Sequence, residues 1–340
     1  MMGEQSITAK QARGNSGYDQ TFSQTMSREL VHRRAVAEVF PTAIGRIGAS
    51  EFTVSAQWPR WHVFYDGLIS GFDSALVVET LRQLTVLIAH TQLDVPLGRP
   101  FLMPEMAVQL VPGILRDTSR PTEVTAQVKV TDQRKTPNGL ADFRAAAFFS
   151  IDGQQIATGS AAARIVEPEV YKRFRSGAQT LPALVQPIPS VSPHTVGHTS
   201  KWNVVLGHPD RLGRWPLRVD TSNPILFDHP LDHVPGVLLI EAVRQVLRLE
   251  LRNPRLDFVD FEARFLALIG LEIGAEVVLE SLVEHQHVVP AVVNVQTEGG
   301  VAMRAVAHVK PERLLPSDQR MLSVRQGRPD ILGSSPSPHG

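Results

Sequence analysis

Apolar residues in this chain gather into two kinds of run. From Asp73 to Gln92 (DSALVVETLRQLTVLIAHTQ) they cover most of a helical circumference, which predicts a buried α-helix rather than a surface one. Asp73-Ser74 supplies an N-cap start, and Pro96 forbids much continuation. Shorter runs at Met106 to Leu115, Glu123 to Thr131, Ala141 to Ile151 and Gln155 to Ile165 predict strands. Asp152-Gly153 between the last two is a hairpin signal. The same order then recurs. Pro235-Gly236 opens a helix to about Arg252, ended by Asn253-Pro254. Strands are predicted at Leu256 to Ala267, Ala275 to Leu282, Val288 to Gln296 and Val301 to Val309, with a tight turn at Gly299-Gly300.

The recurrence has a fixed period. Phe64-Tyr65-Asp66 through Glu79-Thr-Leu-Arg82-Gln83 overlies Leu226-Phe227-Asp228 through Glu241-Ala-Val-Arg244-Gln245 without a gap, 162 residues on. One buried helix followed by four or five antiparallel strands, twice, describes an α+β domain used twice, each sheet wrapped round its helix. No alternating β-α-β order with a Gly-rich phosphate loop is present, which disfavours Rossmann and P-loop folds. The expected organisation is a disordered leader at 1–25, repeat one at 26–168, a linker at 169–198, repeat two at 199–315 and a disordered tail at 316–340. Pro182, Pro187, Pro189 and Pro193 make the linker extended.

Composition narrows the function. With 340 residues, 43% of them hydrophobic, the chain can fill two cores. Its 34 basic and 34 acidic residues balance to +0, and no basic run or recognition helix suggests nucleic-acid binding. Without cysteine there are no disulfides, thiol nucleophiles or Cys-type zinc sites. The polar start has no signal-peptide core, and no apolar stretch is long enough to span a membrane. A cytoplasmic protein is expected. His285 and His287 share one face of a strand but have no third ligand beside them, so no metal site is expected.

Chemistry is expected on the helices and in the loop before the second. Glu241, Arg244, Gln245 and Arg248 fall within about 100° of one another, and Glu79, Arg82 and Gln83 do the same, with His90 returning to the direction of Glu79. A glutamate on a buried helix must be paired. Either Glu and Arg satisfy each other at i, i+3, or the stripe lines a cleft between the repeats. The loop Phe227-Asp228-His229-Pro230-Leu231-Asp232-His233-Val234-Pro235-Gly236 offers a histidine base and a helix N-terminus whose N–H groups can hold an oxyanion. Asp228 and Asp232 read as caps, and His233 as a loop-packing or substrate-binding residue. Trp58, Trp61 and Phe64 read as core or as the wall of a tunnel.

This loop and the Glu-Ala-x-x-Gln that follows resemble the active-site signature of hotdog-fold acyl-carrier-protein dehydratases, although His229 to Gly236 is a shorter spacing than in that signature. The fuller resemblance is to the A-factor biosynthesis (AfsA-type) hotdog family of γ-butyrolactone autoregulator synthases. It rests on Ala56-Gln57-Trp58-Pro59 with Phe64-Tyr65, on Glu79, Arg82, Gln83 and His90, on Val95-Pro96-Leu97-Gly98 and Phe101, and on Asp228 to Gly236. That family implies a tandem hotdog fold. It also implies transfer of a β-ketoacyl group from an acyl-carrier-protein thioester to the hydroxyl of dihydroxyacetone phosphate, with no cofactor. By analogy with hotdog dimers, His229 would meet Glu79 across the repeats, with the Gly236 amide region holding the oxyanion. Arg82 or Arg244 would hold the phosphate, with Gln83, Gln245 and His233 nearby. Glu241 would face the loop from Asp66 to Phe72, which has no histidine, leaving one competent and one degenerate site. Rival readings are a hotdog dehydratase or thioesterase and a non-catalytic regulatory homologue. The fused pair is expected as a monomeric pseudo-dimer or a homodimer.

Overall fold

The computed structural model describes residues 21–65, 72–114, 119–174, 187–283 and 288–310. The first half runs β1 (Pro41–Arg46), β2 (Glu51–Trp58), α1 (Ser74–Gln92), β3 (Phe101–Leu110), β4 (Thr122–Thr136), β5 (Gly139–Ile151) and β6 (Gln154–Ile165), then a short helix α2 (Pro168–Phe174). The second runs β7 (Trp215–Pro216), α3 (Gly236–Glu250), β8 (Phe258–Phe265), β9 (Glu276–Leu282), β10 (Val289–Thr297) and β11 (Gly300–Val309). All strands join one antiparallel sheet in the order β1-β2-β4-β5-β6-β3-β8-β11-β10-β9-β7. Read outward from the β3–β8 seam, the two halves mirror each other. At the seam Met106 pairs with Ala263 and Ala107 with Glu262.

Each helix packs against the strands of its own half, and the two helices touch. This is the doubled, sheet-wrapped helix that the sequence predicts. α1 is buried on nearly every face. Its polar residues fit there because Thr80 and Thr85 return their hydroxyls to the carbonyls of Leu76 and Leu81, 2.7 Å in each case. Asp152 and Gly153 both take positive φ, as the hairpin between β5 and β6 requires.

Strands β1 and β2 were not among the predicted elements. In β2, Phe52 through Ala56 is buried on both faces, so the two-residue alternation that marks a half-exposed strand is absent. Of the expected linker, 175–186 lies outside the described residues. Pro193–Val196 forms a 3-10 turn, and His198 beyond it is buried. The expected leader to residue 20, the tail, His285 and His287, and loop residues 66–71 also lie outside. Among the described residues no helix is long and apolar enough to cross a membrane.

Candidate active site

Two clusters of charge form where each helix meets the chain leading into its repeat. In the first, Glu79 is fully buried. Its Oε1 accepts from Arg33 Nε at 3.0 Å, Arg82 at 2.8 Å and Gln83 at 2.7 Å, and its Oε2 accepts from Arg82 Nε at 2.9 Å. Burial alone would raise this carboxyl, but the guanidiniums of Arg33 and Arg82 outweigh it and hold it at about 2. A carboxylate so occupied is a fixed anion, not a proton acceptor. The direct meeting of His229 with Glu79 is therefore corrected. Arg33 lies against Glu79 instead and reaches on to the Ile225 carbonyl of the second repeat at 3.1 Å.

The loop before α3 does arrive at this cluster. Asp228 accepts the backbone N–H of Ala35 at 2.9 Å and that of Arg34. His229 Nδ1 lies 3.6 Å from Asp228 Oδ2, too far for a hydrogen bond, and its side chain is 37% exposed. Burial lowers the His229 pKa, Asp228 opposes, and the charges of Arg33 and Arg82 lower it further. The ring is thus a neutral imidazole beside two guanidiniums. His32 stands with it: its Nε2 is 2.9 Å from His90 Nε2, and His90 Nδ1 is 2.8 Å from the Val95 carbonyl. Burial, with the charges of Arg82, His90 and His229, pushes His32 down to about 3.

His233 belongs elsewhere. Its Nδ1 is 2.7 Å from Asp232 Oδ1 and 3.1 Å from the hydroxyl of Tyr171 on α2, so it pins α2 to the loop. Gly236 opens α3 where an added Cβ would lie 3.2 Å from the Phe265 ring, and Pro235 caps the helix with no side-chain bond. Trp58 is buried and donates to Thr80 at 2.8 Å. Phe64 is buried too, whereas Trp61 is exposed on a groove of about 690 Å³ shared with Val36, Val39 and Phe40.

The second cluster is closed. Glu241 accepts from His198 at 2.8 Å, Arg244 at 2.6 Å and Gln245 at 2.8 Å. Arg244 also pairs with Asp73, and Asp257 lies 3.6 Å away. Burial would raise Glu241, but Arg244 and His198 hold it well below the usual carboxylate range. Arg244 is 2% exposed, with its guanidinium surrounded by carboxylates of its own chain, so it is not placed to hold a phosphate. Gln83 and Gln245 are also corrected from substrate contacts to backbone clamps. Gln83 takes the Phe40 N–H and gives to the Glu38 carbonyl; Gln245 takes the Val205 N–H and gives to the Asn203 carbonyl. Here α1 begins with its N–H groups already used, Ala75 by Asp73 and Ser74 by Asp257, 2.8 Å each.

His32, Arg33, His198 and Asp257 escaped the sequence reading, and Asp73, read there only as an N-cap, also pairs with Arg244. One signal could have found three of them. Val31-His32-Arg33 and Val196-Gly197-His198 stand 165 residues apart, a shift of three from the helix period. A gapped repeat comparison would have aligned them.

Comparison with known proteins adds an independent line. A family model for the A-factor biosynthesis hotdog domain matches residues 16–167 and 180–290. A 2-oxo-3-(phosphooxy)propyl 3-oxoalkanoate synthase of Streptomyces virginiae is 39% identical over 224 residues, 65% of this chain and 75% of that one. A synthase of the same name from Streptomyces griseus is 34% identical over 218 residues, 64% and 72% of the two chains. An acyl-ACP thioesterase from Bacteroides thetaiotaomicron superposes with a TM-score of 0.48 at 15% identity, covering 77% of this chain and 98% of the other.

Proposed function

This chain belongs to the A-factor biosynthesis hotdog family, and from that membership we propose that it is an acyltransferase, moving a β-ketoacyl group from an acyl-carrier-protein thioester to the hydroxyl of dihydroxyacetone phosphate. The relatives' name supports this reaction, since a 2-oxo-3-(phosphooxy)propyl 3-oxoalkanoate is the ester of that alcohol and that acid. The product then serves γ-butyrolactone signal synthesis in the cytoplasm. On this reading hotdog units at 26–168 and 199–315, joined by 169–198, supply to each other what paired subunits share, so a monomer is a complete assembly.

In the mechanism, neutral His229 takes the proton of the acceptor hydroxyl as its oxygen attacks the thioester carbonyl. The N–H groups at the start of α3, around Gly236, hold the resulting oxyanion. Collapse of the tetrahedral intermediate breaks the carbon–sulfur bond, and the departing carrier thiolate takes the proton back from His229. Arg82, whose side chain is 19% exposed, holds the phosphate. Glu79 acts through the arginines it fixes, and Glu241, Arg244 and Gln245 stabilise the closed cluster.

One observation carries this reading. The two clusters share a design, and in the first His229, seven residues before an α3 start that has no side-chain cap, keeps a side chain 37% exposed. In the second, Asp73 and Asp257 occupy the matching helix start. The test is mass spectrometry of products from purified protein given a β-ketoacyl thioester with and without dihydroxyacetone phosphate. Ester formation that His229→Ala abolishes is the expected result. Carrier release without ester means hydrolysis, and loss of water from a β-hydroxyacyl thioester means a dehydratase; either result refutes transfer.

A further inference from the structure

Two 3-10 turns, 165 residues apart, deliver the side chains that grip the helix glutamates. Arg28–Val31 ends at His32 in the left-handed region with φ 52°, and Arg33 follows; Pro193–Val196 ends at Gly197 with φ 75°, and His198 follows. Glycine adopts this conformation without a Cβ penalty, whereas histidine does not. In the closed copy glycine is required, since a Cβ at 197 would lie 2.3 Å from the Pro254 carbonyl and 2.7 Å from the Arg248 guanidinium. The turn itself works with glycine. The open copy carries a histidine in the same conformation, and its ring is what sets it apart from the glycine of the closed copy.

We propose that His32 is a second imidazole of the transfer site, accepting a hydrogen bond at Nδ1 from the hydroxyl of the acceptor alcohol and aiming it at His229. The proposal rests on the acyl-transfer reading above. The Val95 carbonyl can only accept, so His90 Nδ1 carries a proton. With His90 accepting at Nε2, His32 Nε2, 2.9 Å away, donates to it. That fixes the tautomer and leaves the lone pair of His32 on Nδ1. Phe101 packs edge-on against both rings and holds them in place. Arg82 and His229 are neighbours of His32, so a small phosphorylated alcohol would meet the Arg82 cation at one end and this acceptor at the other.

The decisive variant is His32→Gly, which copies the residue the same turn carries at position 197 and so is compatible with the backbone. Calorimetry with dihydroxyacetone phosphate reads binding without turnover, so this inference and ester formation are judged separately. The expected result is unchanged or higher thermal stability and about tenfold weaker binding, as for loss of one hydrogen bond. In the ester assay the KM for the alcohol rises while that for the thioester does not. His32→Asn, which tolerates the left-handed conformation and offers an amide oxygen near the former Nδ1, recovers part of the loss, and His90→Phe weakens binding in the same sense. Wild-type affinity in His32→Gly overturns the proposal. So does an equal loss for both substrates together with a lowered melting temperature, which would make His32 only scaffold.

Discussion

Asp228 Oδ1 accepts the backbone N–H of Ala35 at 2.9 Å, although 193 residues separate them. The same carboxylate takes the neighbouring N–H of Arg34. The loop that carries His229 in the second repeat thus holds the segment that carries His32 and Arg33 in the first. The open cluster is assembled from both repeats through backbone bonds.

Asp228→Ala should leave both N–H groups without their acceptor and cost about 1–3 kcal/mol of stability. Ester formation should fall further than stability does, because Arg33 and His229 lose their shared anchor. Asp228→Asn keeps one acceptor oxygen and should recover part of each. Urea unfolding beside initial rates checks this; full activity in the alanine variant would contradict it.

The two helix arginines should behave differently. Arg244→Leu strands the buried carboxylates of Asp73 and Glu241 and should cost about 3–5 kcal/mol, enough to prevent accumulation of folded protein. Arg82→Leu leaves Glu79 still paired with Arg33 and Gln83, so it should fold and show a raised KM for the phosphorylated alcohol. Soluble yield and steady-state kinetics separate the two. Equal outcomes would remove the distinction between open and closed clusters.

Gly236→Ala tests the start of α3. Its backbone needs no glycine conformation, but the new methyl would press on the Phe265 ring at 3.2 Å. The helix start should shift by a few tenths of an ångström, lowering kcat more than stability. Phe265→Leu in the same chain should restore kcat by making room. If the double variant is no faster than the single one, the ring contact is not the reason for glycine there.

Acid should unfold the protein partly through Glu79. Its carboxyl stands at about 2 in the folded protein against an ordinary 4.5. Its stabilisation is complete above the ordinary value and is lost as pH falls from there toward 2. That pair of values corresponds to about 3 kcal/mol. Unfolding free energies between pH 5 and 2.5 should show the decline, and Glu79→Gln should remove this component of the slope. An unchanged slope in that variant would show that Glu79 is not its source.

The repeat, its two buried helices and most strands could be read along the chain, because burial on a regular element imprints a period on neighbouring residues. The Glu-x-x-Arg-Gln stripes were visible for the same reason, and Asp152-Gly153 declared its turn through backbone preference. What each stripe grips was not visible. Gln83 and Gln245 bind main-chain groups of Phe40, Glu38, Val205 and Asn203, and any residue but proline could supply those N–H groups. Glu79 finds Arg33, and Glu241 finds His198, across 46 and 43 residues. These partners repeat at an offset different from that of the helices, and nothing in that pattern says whether a charged helix faces solvent or a sealed core; that was decided only when the two halves closed on each other. There Asp73 and Asp257 filled one helix start, while the other was left without a side-chain cap.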